Sequence, residues 1–131
     1  MIVIDASVLA NALGDDDEDG RTAREELRAA VEFTAPDLID VETVAVLRKR
    51  WLARTTSAHR FAAAVDDLQE MDFERVPTVR MIRRAYELRA NVTSYDATYV
   101  ALAEALDCEL LTGDKRLAAA TGPRCAIRAL S

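Results

Sequence analysis

Apolar positions along this chain follow two rhythms. Short aliphatic runs read as buried strands, and longer stretches with apolar residues three and four apart read as helices. Ile2-Val3-Ile4 is a β-branched run closed by Asp5, so residues 1–5 are predicted as a strand with an acid at its carboxyl end. A helix is expected from Ala6 to Leu13, interrupted by Gly14 and the acidic run Asp15 to Asp19. Gly20 to Val31 reads as a second helix, with the preceding acids suited to the positive end of its dipole. Phe33-Thr34-Ala35 is a short strand stopped at Pro36, and residues 37–53 carry a long helical pattern. Ser57 is the expected N-cap of a helix reaching Met71, with Phe61, Ala64, Val65 and Leu68 on one face. Strands follow at 72–76, 108–112 and 125–130, and helices at 79–90, 94–106 and 114–120.

Strand and helix thus alternate from end to end. That alternation predicts an α/β fold, a parallel sheet with helices on both faces, and one domain over 1–131. In such sheets ligands collect at the carboxyl ends of the strands, where Asp5 and Asp114 are expected to lie.

The composition is half hydrophobic and 31% charged, an ordinary globular balance. No apolar run approaches the roughly 20 residues of a membrane span, so no membrane role is expected. Met1 runs straight into the first strand with no basic n-region or cleavage site, which argues against secretion. Cys108 and Cys125 have no CxxC or HxxH partner, and reduced thiols in a cytoplasm fit them better than a disulfide or zinc site. His59 is the only histidine, so any Ser-His-Asp or Cys-His chemistry would have to be built on it alone. Seventeen basic against 23 acidic residues give a net charge of −6. Setting aside Asp15, Asp16, Asp17, Glu18 and Asp19 leaves 17 against 18, or −1. Local basic patches such as Arg48-Lys49-Arg50, Arg83-Arg84 and Lys115-Arg116 can therefore coexist with an acidic total.

Four carboxylates interrupt otherwise apolar or structural positions. Glu42 has Leu38, Ile39, Ala45 and Val46 as helical neighbours, whereas the faces of Asp40 and Thr43 look better suited to a solvent-facing acid. Glu42 is either an acid at the edge of a buried stripe or a site residue. Asp96 shares a face with Tyr99, Val100 and Ala103, but Thr93-Ser94-Tyr95-Asp96 also fits a capping box. Asp5 and Asp114 each fit a helix cap as well. Four such acids brought to one sheet edge could not all stay ionised without compensation. Either protonation or a hard divalent cation supplies it, and all-oxygen ligation suits Mg²⁺ or Mn²⁺ rather than zinc or copper. Carboxylate-held ions of that kind activate water for phosphodiester cleavage. No Gly-rich phosphate loop follows the first strand.

The ordered set Ile-Val-Ile-Asp5-Ala-Ser7-Val-Leu, Glu42, Tyr95-Asp96-Ala-Thr-Tyr-Val-Ala-Leu-Ala and Leu-Leu-Thr112-Gly-Asp114-Lys-Arg-Leu resembles the PIN-domain family, and more narrowly its VapC toxins. The resemblance covers the whole chain. It implies a parallel sheet of about five short strands and a Mg²⁺- or Mn²⁺-dependent endoribonuclease. By motif position Asp5, Glu42, Asp96 and Asp114 correspond to the family's acidic quartet, with Asp114 in the most variable place. Ser7 and Thr112 match the hydroxyl residues that orient carboxylates or metal-bound water. The acidic run at 15–19 is outside the family pattern and reads as a solvated helix N-terminus. The resemblance also implies a homodimer and a small VapB-like antitoxin that covers the toxin's groove.

Val44, Leu47 and Trp51 form an apolar stripe that is either core packing or a dimer or antitoxin contact. The Arg-rich stretch 80–89 reads as a solvated face. Arg48, Lys49, Lys115 and Arg116 lie nearer the acids in sequence and are the better candidates for the RNA backbone. Two other classes compete. A non-catalytic binding module would not need all four acids. A receiver-like phosphoacceptor would need an acid pair after the first strand and an Asp ending the middle one. This chain has Asp5-Ala6-Ser7 and Arg75-Val76-Pro77 there, and the same gap removes a DxDxT phosphatase.

Overall fold

A computed structural model describes residues 1–130. Five strands, β1 (Ile2–Ile4), β2 (Phe33–Pro36), β3 (Glu74–Val76), β4 (Leu110–Thr112) and β5 (Ile127–Ala129), form one parallel sheet. Their order is β3-β2-β1-β4-β5. β1 pairs with β2 through Val3 opposite Thr34, and with β4 through Ile4 opposite Leu111. The strand order reverses on either side of β1, which opens a crevice at the carboxyl ends of β1 and β4. Ile2, Val3 and Ile4 are all buried, so the central strand is covered on both faces.

Seven helices provide the cover: α1 (Ala6–Gly14), α2 (Glu18–Ala30), α3 (Leu38–Leu52), α4 (Ala58–Glu70), α5 (Ile82–Glu87), α6 (Ser94–Ala105) and α7 (Lys115–Ala118). No helix among the described residues is long and apolar enough to cross a membrane. α6 lies across β1, β2 and β4 and packs on α5, while α1 packs against α2, α3 and α4. The near-continuous apolar surface of α6 is explained by its position, since every residue from Ala97 to Ala103 is buried. Ser57 caps α4, its hydroxyl accepting from the Arg60 N–H at 3.0 Å.

The helix expected over 79–90 is divided. Thr78–Met81 is a 3₁₀ turn set by Pro77, and α5 ends at Glu87. Met81, Ala85 and Leu88 still supply its buried side. The stripe on α3 resolves mainly as core: Leu47 is fully buried with Ala10 and Ala64, and Val44 packs on the main core. Trp51 is 42% exposed, its ring 6.1 Å from that of Phe61. The face of Asp40 and Thr43 is not a free solvent face. Asp40 pairs with Arg75 at 3.1 Å, and Thr43 is buried with no hydrogen-bond partner for its hydroxyl among the described residues.

The acidic run folds into the turn between α1 and α2. Asp15 Oδ1 accepts from the N–H groups of Asp17 and Gly20, and Arg24 donates to the carbonyls of Ala12 and Asp15. Glu18 and Asp19 occupy the first turn of α2, which begins two residues before Gly20. A Cβ at Gly20 would stand 1.8 Å from the Asp15 carbonyl oxygen. Replacing a helical glycine by alanine ordinarily gains about 1 kcal/mol. Here the collision reverses the sign. Gly20→Ala is expected to lower stability by ~1–3 kcal/mol in denaturant unfolding, the usual cost of overpacking. An unchanged or raised midpoint would show that this turn is not closely packed.

Candidate active site

Asp5 follows β1 directly and takes an extended conformation as the N-cap of α1. The residue is only 6% exposed. Oδ1 accepts from the Ser7 hydroxyl at 2.5 Å and the Val8 N–H at 3.2 Å. Oδ2 accepts from the Thr112 hydroxyl at the end of β4. The Thr112 oxygen in turn accepts from the Asp114 N–H at 3.0 Å, and Ser7 Oγ from the Gly113 N–H at 2.9 Å. A Cβ at Gly113 would approach Ser7 Oγ to 3.0 Å, so the missing side chain admits this contact. Burial raises the Asp5 pKa above the ordinary carboxylate value, against the opposing effect of its donors.

Glu42, in the second turn of α3, accepts the Tyr99 hydroxyl proton at 2.7 Å. Its pKa is raised by burial, opposed by the Tyr99 hydrogen bond and reinforced by the charges of Asp96 and Asp5. Asp96 lies in the first turn of α6, where its N–H donates to the Thr93 hydroxyl at 3.2 Å. Burial and then the charge of Asp5 raise its pKa, with Asp114 adding to the effect. Asp114 caps α7 by accepting the Arg116 N–H at 2.8 Å. Asp5 and Asp114 thus take the capping roles expected of them, whereas at Asp96 the Thr93 hydroxyl caps α6 through the backbone N–H, with no return hydrogen bond from the Asp96 carboxylate to the Thr93 N–H among the described residues. These roles coexist with a mutual electrostatic interaction among the acids.

None of the ion pairs among the described residues includes Asp5, Glu42 or Asp96. Asp114 has one long contact of 3.7 Å to Arg116, whose side chain is 94% exposed. Three half-buried or buried carboxylates thus share a region with no internal cation. Even so, no three acidic, histidine or cysteine groups among the described residues converge into a ready-made coordination shell. The donor chemistry fits a hard cation. The loose spacing fits Mg²⁺, which commonly takes one or two carboxylates and keeps several waters.

Arg48, Lys49, Lys115 and Arg116 are all exposed. Lys115 and Arg116 open α7 immediately after Asp114, while Arg48 and Lys49 lie on the later turns of α3, beyond Glu42. The sequence reading did not single out Tyr99 or Gly113 for function. Tyr99 stands three residues after Asp96 on the same helical face, and a buried phenol needs a hydrogen-bond partner. Those two facts were the available signal. Burial, then the hydrogen bond to Glu42, raises the Tyr99 pKa far above its ordinary value, so the phenol remains a donor.

Comparison with known proteins identifies the family. The PIN domain profile matches residues 2–123. Ribonuclease VapC1 of Mycobacterium tuberculosis (strain ATCC 25618 / H37Rv) is 42% identical over 127 residues, covering 96% of this chain and 95% of that protein. Ribonuclease VapC9 of the same strain is 39% identical over 127 residues, covering 97% and 96%. The crystal structure of M. tuberculosis VapC20, described as a sarcin–ricin loop cleaving toxin, superposes with a TM-score of 0.68 at 22% identity. It covers 91% of this chain and 94% of that one, and at that identity it supports the fold. The profile match and the full-length identity to VapC1 and VapC9 establish that this chain belongs to the PIN-domain family, within its VapC ribonuclease group.

Proposed function

We propose that this chain is a Mg²⁺- or Mn²⁺-dependent endoribonuclease acting as the toxin of a VapBC-type pair. Family membership supports RNA cleavage and the toxin role. The metal reading is carried by one observation: the charge of Asp5 raises the proton affinity of Glu42 and Asp96, that of Asp96 adds to the effect on Glu42, and none of the three has a cationic partner among the described residues. A bound cation would neutralise them and supply water activation and leaving-oxygen stabilisation for phosphodiester hydrolysis.

In this reading Asp5, Glu42, Asp96 and Asp114 are the acids that hold the ion, directly or through water. Ser7 and Thr112 fix both oxygens of Asp5, so that carboxylate cannot rotate away when the ion leaves. Arg48, Lys49, Lys115 and Arg116 neutralise the RNA backbone on either side of the acids and set its register. The small partner is a VapB-like antitoxin, and the active assembly is a homodimer.

Three outcomes are expected. RNA cleavage by the purified chain stops in EDTA and returns with Mg²⁺ or Mn²⁺. Asp96→Asn lowers cleavage by at least about 100-fold, since loss of even an outer partner of a metal ligand costs 10–100-fold. The Thr93 cap uses the backbone N–H and survives that change, so the metal-free melting temperature stays level or rises. A clear fall in melting temperature with activity retained would leave Asp96 as a cap alone.

The second concerns pH. Asp5, Glu42 and Asp96 have raised folded-state pKa values, so they oppose folding above those values and cease to do so as pH falls through them. Melting of the metal-free protein should therefore rise as pH falls from neutrality toward the ordinary carboxylate range. Glu26 and Asp37 work oppositely. Their pKa values are lowered, by Arg128 and by the Thr78 hydroxyl respectively, and their support is lost as pH falls below about 4. Asp96→Asn flattens the upper limb, and Mn²⁺ at pH 7 raises the wild-type melting temperature. A stability curve that only falls on acidification from neutrality contradicts the carboxylate repulsion.

The third is cellular. Induction in a bacterial host arrests growth, and Glu42→Gln at equal protein level relieves the arrest, because the amide keeps the size and loses the charge. Arrest that persists with Glu42→Gln would place the toxicity elsewhere.

A further inference from the structure

The four acids are not held equally. Asp5 accepts from three donors, and Asp114 from the N–H of Arg116. Asp96 has a short stem and sits in the first turn of α6. Glu42 has the longest stem of the four and no backbone donor. Its one hydrogen bond among the described residues comes from Tyr99, 57 positions away. Tyr99 is 1% exposed and lies in the fully buried middle of α6, so its ring is fixed by packing on a rigid element. Its hydroxyl occupies Oε1 of Glu42 and leaves Oε2 without a partner among the described residues.

We infer that Tyr99 is a positioning residue, whose hydroxyl sets the orientation of Glu42 toward a bound cation. The inference rests on the metal-dependent reading above. A flexible carboxylate beside two others swings toward solvent when nothing holds it, since that separates like charges. The Tyr99 hydroxyl opposes this and ties α3 to the helix that carries Asp96. Ser7 and Thr112 do the same for Asp5, so each of these two buried-side acids has its own hydroxyl support. Glutamine at position 42 keeps a carbonyl oxygen able to accept from Tyr99, which separates orientation from charge.

The test uses Tyr99→Phe, which removes one oxygen and keeps the ring that packs in the core. Glu42 is half-buried, so its carboxylate can take a water in place of the phenol. Mn²⁺ binding is read by electron paramagnetic resonance of the free ion, and RNA cleavage by kcat and by the Mn²⁺ concentration giving half-maximal rate. The metal-free melting temperature reports the fold. The expected result is a loss of about tenfold in Mn²⁺ affinity and in cleavage at subsaturating metal, the range seen for outer partners of metal ligands. Melting should stay within about 2 °C of wild type. In a Glu42→Gln background, Tyr99→Phe should have no further effect on Mn²⁺ binding, because the amide that Tyr99 still orients has lost the charge that attracts the cation. Wild-type Mn²⁺ affinity in Tyr99→Phe overturns the inference, as does an equal loss in both backgrounds, which marks a general packing role. If the wild-type chain itself neither binds Mn²⁺ nor cleaves RNA, the metal-dependent reading falls and this inference with it.

Discussion

A buried carboxylate at the end of the central strand is the constraint on which the rest of the structure turns. Burying an ionised group costs several kcal/mol even after relaxation, and hydrogen bonds to a charged acceptor return about 1.5–3 kcal/mol each. Asp5 recruits two hydroxyls and one N–H, from Ser7, Thr112 and Val8, and its pKa is still raised. The donors therefore reduce the burial penalty without cancelling it. Through those contacts Asp5 fastens β1 to the start of α1 and to the end of β4, the two strands that flank the crevice. A well-packed apolar residue would hold the same junction at lower cost. The acid makes sense as a site residue that also serves the fold.

The helices meet that need in a consistent way. α1, α3 and α7 follow the carboxyl ends of β1, β2 and β4, and α6 starts on the same side before leading into β4. Their N-termini carry partial positive charge, and each has one of the four acids within its first two turns or at its cap. This offsets part of the repulsion without introducing a side-chain cation. An arginine placed among the acids would neutralise them permanently, which the proposed metal-dependent function could not accommodate. The arginines of this chain are instead spent at the periphery, as in Arg84 with Glu104 and Arg128 with Glu26 and Glu109.

The acidic run shows how charge can be abundant and yet unconnected to the site. Asp15 caps the turn and the entry to α2, and Asp16 pairs with Arg60 while remaining 73% exposed. An exposed pair of that sort is worth no more than about 1 kcal/mol. The run accounts for most of the net charge, but its local role is to shape the hairpin of α1 and α2. Asp5, Glu42 and Asp96 are less exposed than Asp16 to Asp19, and it is burial first of all that raises their pKa values.

The one-dimensional pattern determined what depends on neighbours along the chain. Alternating strand and helix, the Ser57 and Thr93 caps, and the placement of Asp5 at a strand end are all local, and all agree with the structure. The parallel sheet followed because such alternation has few other solutions. The candidate acids were legible because a charged residue on an apolar face is locally anomalous, although capping explained three of them equally well. What the tertiary structure alone decided lies in contacts between distant residues. Thr112 reaches Asp5 across 107 positions and Tyr99 reaches Glu42 across 57. Thr43, which looks solvent-facing in the sequence, is buried on α3, and Gly20 is indispensable only because the Asp15 carbonyl folds back onto it. Whether an acid caps a helix, joins a cluster or does both depends on burial and on charges brought from elsewhere. Those are properties of three-dimensional proximity, and periodicity along the chain does not encode them.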